Sequence, residues 1–299
     1  MFIKSKYFSL LLGLTLAISG ITIPTKAATT VSSSGLRGVS VPSIWYDTQS
    51  FSALTTIKQD NFNTVRIVWN TSGTAARLQQ IVDKCVSLSL KPIIELHDAT
   101  GGSDTSSLNT CVNYWTRSDI KTVLNSSSTI WVNIANEWGP SNSTVWRDGY
   151  ISAVNTMRTA GITNVLVMDA GGWGQDSNDI LNYASSIMSS NSNKNVMFSI
   201  HMYGSWNSNS TIDNFLTNCI NNNIPIMVGE FGYNYNNGSN NLSCSVDAVH
   251  LMTECKSLGI GFLPWSWGGN DSSNSWLDMT GSDWTTLNTW GNLVKSNMY

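Results

Sequence analysis

Thr129-Ile130-Trp131-Val132-Asn133-Ile134-Ala135-Asn136-Glu137-Trp138 is the stretch whose reading decides the fold. It is an apolar run of strand length, rich in β-branched residues, that gives way to polar groups at its far end. A parallel sheet covered on both faces requires strands of this kind. Glu137 is thereby placed at a carboxyl end, beside an indole. Ile224-Pro225-Ile226-Met227-Val228-Gly229-Glu230-Phe231-Gly232 repeats the pattern, again with a glutamate closing the run.

Working outward, strand-like runs alternate with stretches of helical spacing. Gly35 to Val41, Thr64 to Trp69 and Pro92 to His97 precede the central stretch as strands. Asn164 to Asp169, Val196 to His201, the run ending at Glu230 and Gly261 to Trp267 follow it. Helices are expected over Ser50 to Gln59, Thr74 to Leu88, Leu108 to Leu124, Ser143 to Thr159, Asn178 to Met188, Thr211 to Ile220, Ser245 to Leu258 and Trp284 to Lys295. In the second of these, Ala75, Leu78, Ile81, Val82 and Cys85 share one face. Strands and helices in strict alternation over about 270 residues predict a single-domain (β/α)8 barrel, which typically needs ~250. An open doubly wound sheet would normally carry a GxGxxG or P-loop signature, and neither occurs.

Composition narrows the partners. Lys and Arg total 16 against 19 Asp and Glu, a net charge of −3, with no basic stripe, so nucleic acid is not expected. Only 12% of the 299 residues are charged, so neutral Ser, Thr and Asn must keep the surface wet, which suits an extracellular protein handling uncharged ligands. Residues 1–27 open with Lys4 and Lys6, continue through an apolar run and end Thr25-Lys26-Ala27, the pattern of a secretory signal peptide cut after Ala27. Residues 28–299 would form the barrel. No other stretch approaches ~18 consecutive apolar residues, so no membrane association is expected once the leader is removed. The five cysteines lack a CxxC or zinc spacing, and in an oxidising compartment they suggest disulfides, with Cys219–Cys255 and Cys85–Cys111 as candidate pairs and Cys244 left free.

In a (β/α)8 barrel, active sites sit at the carboxyl ends of the strands. Standing there are Trp45, Arg66 with Trp69, His97-Asp98, Asn136-Glu137-Trp138, Asp169 with Gly171-Gly172-Trp173, His201-Met202-Tyr203, Glu230, and Trp265-Ser266-Trp267. Each has a bland alternative. Arg66 could be a structural ion-pair partner of Glu95, and the histidines could be satisfied core residues. Of thirteen tryptophans, Trp45, Trp69, Trp138, Trp173, Trp206, Trp265, Trp267 and Trp276 fall at strand ends or in the following loops. Core packing alone would not favour one rim, whereas indole faces that stack on sugar rings would. Two carboxylates among such aromatics are what cleavage of a glycosidic bond needs. There is no GxSxG elbow and no HExxH. His97 and His201 with Asp98 or Asp169 form no compact metal motif, so no metal or cofactor is expected.

This constellation resembles glycoside hydrolase family 5, carried by Arg66, His97, Asn136, Glu137, His201, Tyr203, Glu230 and Trp265 in the expected order. The wording is most similar to the bacterial-type β-mannanase branch: Thr64-Val65-Arg66-Ile67-Val68, Glu95 to Gly101, Asn133 to Trp138, Asp169 to Gln175, Met197 to Tyr203 and Val228 to Gly232. The resemblance implies a monomeric, secreted, retaining endo-β-1,4-mannanase acting on mannan, galactomannan or glucomannan, with Glu137 as acid/base and Glu230 as nucleophile. Arg66, His97, Asn136, His201, Tyr203, Trp173, Trp265, Trp45 and Trp69 would bind or position substrate. An endo-β-1,4-glucanase on the same scaffold and a non-catalytic polysaccharide-binding protein are the alternatives. Gly268-Gly269-Asn270 departs from the branch, which often has a lysine after the last tryptophan pair.

Overall fold

The computed structural model describes residues 31–190, 195–239 and 241–299; the expected leader over 1–27 lies outside them. Eight parallel strands run in sequence order around one sheet: β1 (Gly38–Val41), β2 (Thr64–Trp69), β3 (Lys91–Leu96), β4 (Trp131–Asn133), β5 (Val165–Asp169), β6 (Val196–Met202), β7 (Ile226–Phe231) and β8 (Gly261–Phe262). A parallel bridge from Arg37 to Phe262 brings the last strand to the first. Beyond it the Trp267 amide donates to Ser40 O at 2.9 Å, so the sheet closes into a (β/α)8 barrel.

Helices α1 (Asp47–Gln59), α2 (Ala75–Ser87), α3 (Thr105–Trp115), α4 (Ser118–Leu124), α5 (Thr144–Thr159), α6 (Ser177–Ser189), α7 (Asn209–Asn221), α8 (Ala248–Ser257) and α9 (Thr289–Asn297) lie between and after the strands. Short polar side chains start most of them. Thr74, Asp104, Ser143, Asp176, Asp247 and Asn288 each accept an amide of the first helical turn. The helix expected over Leu108 to Leu124 is two, because capping by Asp104 starts α3 earlier and the chain breaks at Thr116 and Arg117. Trp284, read as a helix start, instead sits buried in a turn under the Thr280 to Leu287 bridge, and α9 begins five residues later at Thr289.

Strand alternation sorts the side chains. Val65, Ile67 and Trp69 on β2, Ile94 and Leu96 on β3, Leu166 and Met168 on β5, and Phe198 and Ile200 on β6 pack outward against the helices. A separate apolar plug of Ile93, Trp131, Val165, Val167, Met197, Met227, Leu36 and Leu263 fills the interior at the amino-terminal end. Two residues further along the same inward rows the side chains turn polar: Glu95 after Ile93, Asn133 after Trp131, Asp169 after Val167, His201 two beyond Ser199. Period-2 geometry thus stacks a buried polar layer on a dry plug and aims it at the carboxyl face.

On β7 the register slips. Ile200 pairs with Val228 but His201 pairs with Glu230, leaving Gly229 as the extra residue of a bulge. A Cβ on Gly229 would fall 2.1 Å from Ser199 Oγ, so only glycine fits there. The bulge returns Glu230 to the inward row beside His201.

The five cysteines are buried free thiols. The expected Cys85–Cys111 and Cys219–Cys255 pairs are not formed: Cys85, Cys111, Cys219 and Cys255 each lie on the core-facing side of a different helix, α2, α3, α7 and α8, where they pack as small apolar groups.

Candidate active site

Arg66 organises the polar layer. Its side chain is 1% exposed and its Nη1 donates to Glu230 Oε1 at 2.7 Å. Nη2 donates to Asn136 Oδ1 at 2.6 Å and to Asn133 Oδ1 at 2.9 Å, and Nε donates to Asn133 Oδ1 at 3.1 Å. Asp169 Oδ2 lies 3.4 Å from Nη2 and Glu95 Oε1 3.8 Å from Nη1. Burial lowers the guanidinium's proton affinity, but Glu95, Glu230, Asp169 and Glu137 reverse that and hold it above its ordinary value. The ion pair with Glu95 and the contact with Glu230 therefore coexist on one side chain.

Glu230 accepts on both oxygens: Arg66 reaches Oε1, and the Tyr203 hydroxyl donates to Oε2 at 2.9 Å. Burial raises the carboxyl above its usual range; His201 and Arg66 oppose the rise, Glu137 adds to it and His97 opposes it. The donors decide which form the site is built for. A guanidinium cannot accept a proton from Oε1, and Tyr203, whose own ionisation is pushed far up by burial and by Glu230, keeps its proton to donate. Both contacts fit a carboxylate.

Glu137 stands opposite. Its backbone is in the left-handed region, φ 48°, uncommon for a residue with a side chain. Its amide donates to Asp169 Oδ2 at 3.1 Å and its carbonyl accepts the Gly101 amide at 3.2 Å, which fixes the turn. The side chain meets His201, whose Nδ1 is 2.8 Å from Glu137 Oε1 and 3.5 Å from Glu230 Oε2. Single oxygens of Glu137 and Glu230 lie within 4.8 Å of each other and of the His201 nitrogen. Burial disfavours the imidazolium, yet Glu230 and Asp169 raise His201 to about 10. Asp169, opposed by burial but stabilised by His201 and Arg66, falls to about 2. The His201 amide donates to Gly174 O at 2.7 Å, an approach possible because a Cβ on Gly174 would strike the imidazole.

These residues floor a cleft of about 620 Å³ lined also by His97, Asn136, Trp173, Gln175, Leu242, Trp265 and Asn270. His97 donates or accepts through Nδ1 at Glu95 Oε1, 2.8 Å away, and its ring stacks on Trp265 at 5.8 Å and meets the edge of Trp45 at 5.1 Å. The indole N–H of Trp265 donates to Asn270 Oδ1, so Asn270 occupies part of the rim where the resemblance often places a lysine.

The family model described as Cellulase (glycosyl hydrolase family 5) matches residues 25–271. This chain belongs to glycosyl hydrolase family 5. It is similar to a mannan endo-1,4-beta-mannosidase of Salipaludibacillus agaradhaerens, 31% identical over 268 residues that cover 87% of this chain and 84% of that protein. It is also similar to one of Cellvibrio japonicus, 34% identical over 274 residues covering 88% of this chain and 62% of that protein. The beta-mannanase of Thermomonospora fusca matches with a TM-score of 0.81 at 31% identity, covering 88% of each chain, and two further structures of that enzyme are mannotriose and mannohexaose complexes.

Within this family 5 hydrolase the expected aromatic rim is smaller than the sequence suggests. Trp45 and Trp173 are 52% and 60% exposed and Trp265 is half-buried. Trp69 is 2% exposed, packs over Gly73 and donates its indole N–H to Tyr114, so it offers no face to a sugar. Trp138, Trp206, Trp267 and Trp276 are likewise buried. The remaining named side chains, Arg66, His97, Asn136, Glu137, His201, Tyr203, Glu230, Trp45, Trp173 and Trp265, share this one end of the barrel. Asn133, Glu95 and Gln175 also stand in or under the site and were not named at it from the sequence, whereas Asp169, named at the end of the fifth strand, lies there as well. The signal for Asn133, Glu95 and Asp169 was their place two residues beyond the apolar strand residues Trp131, Ile93 and Val167.

Glu137, His201 and Glu230 could in principle offer three ligands to a cation. Arg66 argues against it: a guanidinium 2.7 Å from Glu230 already supplies the positive charge there and would repel a metal.

Proposed function

We propose that the protein is a secreted, retaining endo-β-1,4-mannanase in which Glu230 is the nucleophile and Glu137 the acid/base. The observation that carries the mechanism is the spacing of the two carboxyls. Retention needs them about 5–5.5 Å apart, whereas inversion needs about 6.5–9.5 Å to admit a water. The approach within 4.8 Å supports retention. The preference for mannan is supported by relatives above 30% identity over most of the chain, and secretion by the Met1 to Ala27 pattern.

In the first displacement a Glu230 oxygen attacks the anomeric carbon, the bond to the leaving oxygen breaks, and the Glu137 proton passes to that oxygen. In the second, Glu137 takes a proton from water as its oxygen attacks the same carbon and the Glu230 ester bond breaks. The charges around the site fit this division. Glu95, Glu137, Asp169 and Glu230 face Arg66, His97 and His201, and His97, though burial opposes it, is raised by Glu95. Arg66 and the Tyr203 hydroxyl hold Glu230 in the charged form a nucleophile needs, which leaves Glu137, across the gap, for the acid/base role. Asn136, anchored by Arg66 and donating to Thr100, is placed for the sugar hydroxyl next to the reacting carbon.

A β-1,4-glucanase is the second reading, favoured by the description of the matching family model. Reducing-end release from galactomannan and carboxymethylcellulose, assayed side by side, separates the two. Mannan turnover in clear excess is expected; turnover of the cellulose derivative alone would transfer the assignment to glucan.

A further inference from the structure

Asn270 lines the cleft with its polar atoms already committed inside the protein. Its Oδ1 accepts the Trp265 indole N–H at 2.8 Å, and its Nδ2 donates to Asp278 Oδ1 at 2.6 Å and to Ser266 Oγ at 3.0 Å. Both amide hydrogens are thereby used, so what Asn270 does for the cleft it does through Trp265. The Asn270 main-chain amide also donates to Asp278 Oδ1, at 3.0 Å, so one carboxylate holds backbone and side chain together.

An asparagine amide can face either way, and the carboxylate decides between the two. A carboxylate only accepts, so Asp278 takes the NH2 end and leaves the carbonyl end for the indole. Turned over, Asn270 would set oxygen against oxygen at Asp278 and N–H against N–H at Trp265. The fold brings Asp278 to this spot from a separate segment: Ser266 N donates to Leu277 O and Met279 N to Ser266 O, each at 3.0 Å. Gly269, at φ 90°, turns the chain between them, and a Cβ there would lie 2.8 Å from the Tyr46 ring. Asp278 itself is half-buried and does not line the cleft. Trp265 does, beside Glu137 and Glu230, and its ring stacks on His97 with centroids 5.8 Å apart. The torsion that turns an indole about its attachment is broad and two-fold, and a tethered N–H selects one direction.

We propose that Asp278 is a positioning residue which, acting through Asn270, holds the Trp265 indole in the orientation that seats the sugar at the two glutamates. The inference rests on the hydrolase reading of the cleft and not on the choice of mannan over glucan.

A double-mutant cycle tests it. Asp278→Leu removes the acceptor at similar size, and Trp265→Phe removes the N–H that the acceptor serves. Values of kcat and KM on mannohexaose are measured for the parent, each single variant and the pair, at a temperature where circular dichroism shows all four folded. Asp278→Leu is expected to lower kcat/KM by about three- to tenfold, the size of one neutral hydrogen bond, but by less than about twofold once Trp265→Phe is present. Asp278→Asn, which keeps an oxygen for the Asn270 donors, should recover most of the loss. If Asp278→Leu does not fold, Asn270→Ala takes its place in the cycle and cuts the link at its middle. Undiminished kcat/KM in the variant used, or an equal loss with and without the indole N–H, would overturn the proposal and leave Asp278 a purely structural role. A parent that hydrolyses cellohexaose but not mannohexaose would overturn the mannan assignment instead, and the same four ratios on cellohexaose would then decide the role of Asp278. A parent inactive on both would overturn the hydrolase reading and this inference with it.

Discussion

Glu137 sits at a positive φ because two neighbours hold it there, Asp169 under its amide and Gly101 against its carbonyl. The turn points its carboxyl at His201 rather than into solvent. Removing the proton it is proposed to deliver, by Glu137→Gln, should lower kcat by about 10²–10⁴ on mannan with little change in fold, read by turnover and circular dichroism. Tyr203→Phe deletes one donor to a buried carboxylate and is expected to cost about ten- to hundredfold in kcat/KM. His201 makes a stability prediction with a definite sign. Its folded value of about 10 lies above the unfolded value of about 6.5. Its stabilisation is therefore complete below about 6.5 and is lost as the pH rises through about 10. The parent's thermal midpoint should fall across that window, and His201→Gln should start lower and stay flatter. A variant whose alkaline profile parallels the parent would show that His201 is not charged in the fold. Both glutamates were legible in the sequence because each ends an apolar run. Trp69 was misread because strand-end position says nothing about which way a side chain leaves the strand. It stands three residues beyond Arg66, on the opposite face, and so points into the helical layer.

At the level of elements, β7 has to break its own alternation to deliver Glu230. Met227 and Gly229 already occupy the inward row, and without the bulge Glu230 would face the helices. Gly229→Ala should therefore cost about 1–3 kcal/mol of stability by overpacking against Ser199, measured by denaturant unfolding, and should reduce kcat as Glu230 is displaced. Adding Ser199→Gly is expected to recover much of both. A Gly229→Ala protein with unchanged stability and rate would contradict the bulge. None of this was legible beforehand, since a bulge depends on the partner strand's register and Val228-Gly229-Glu230 reads as an uninterrupted strand. The order of strands and helices was legible from apolar spacing alone. Element ends were less so: β4 has three residues and β8 two, because beyond them the chain bends to carry site residues and leaves the ladder.

For the whole molecule, the barrel divides its interior into a dry plug and a charged layer, and one arginine links strands β2, β4, β5 and β7 through that layer. Arg66→Met would leave several buried carboxylates without their counter-charge, and a loss of about 3–5 kcal/mol is expected from equilibrium unfolding, far more than a surface arginine would cost. The cysteines belong to the same helical core as the leucines around them. Alkylation of the denatured protein without reductant should modify all five thiols, and a mass that shows two of them protected would restore a disulfide. The central claim is that two carboxyls one sugar-width apart act by double displacement. Its most direct test follows the anomeric proton of the new reducing end by NMR during the first minutes of mannohexaose hydrolysis. The β-anomer is expected to appear first and mutarotate later; an α-anomer appearing first would mean inversion and would contradict the assignment of Glu230 as nucleophile.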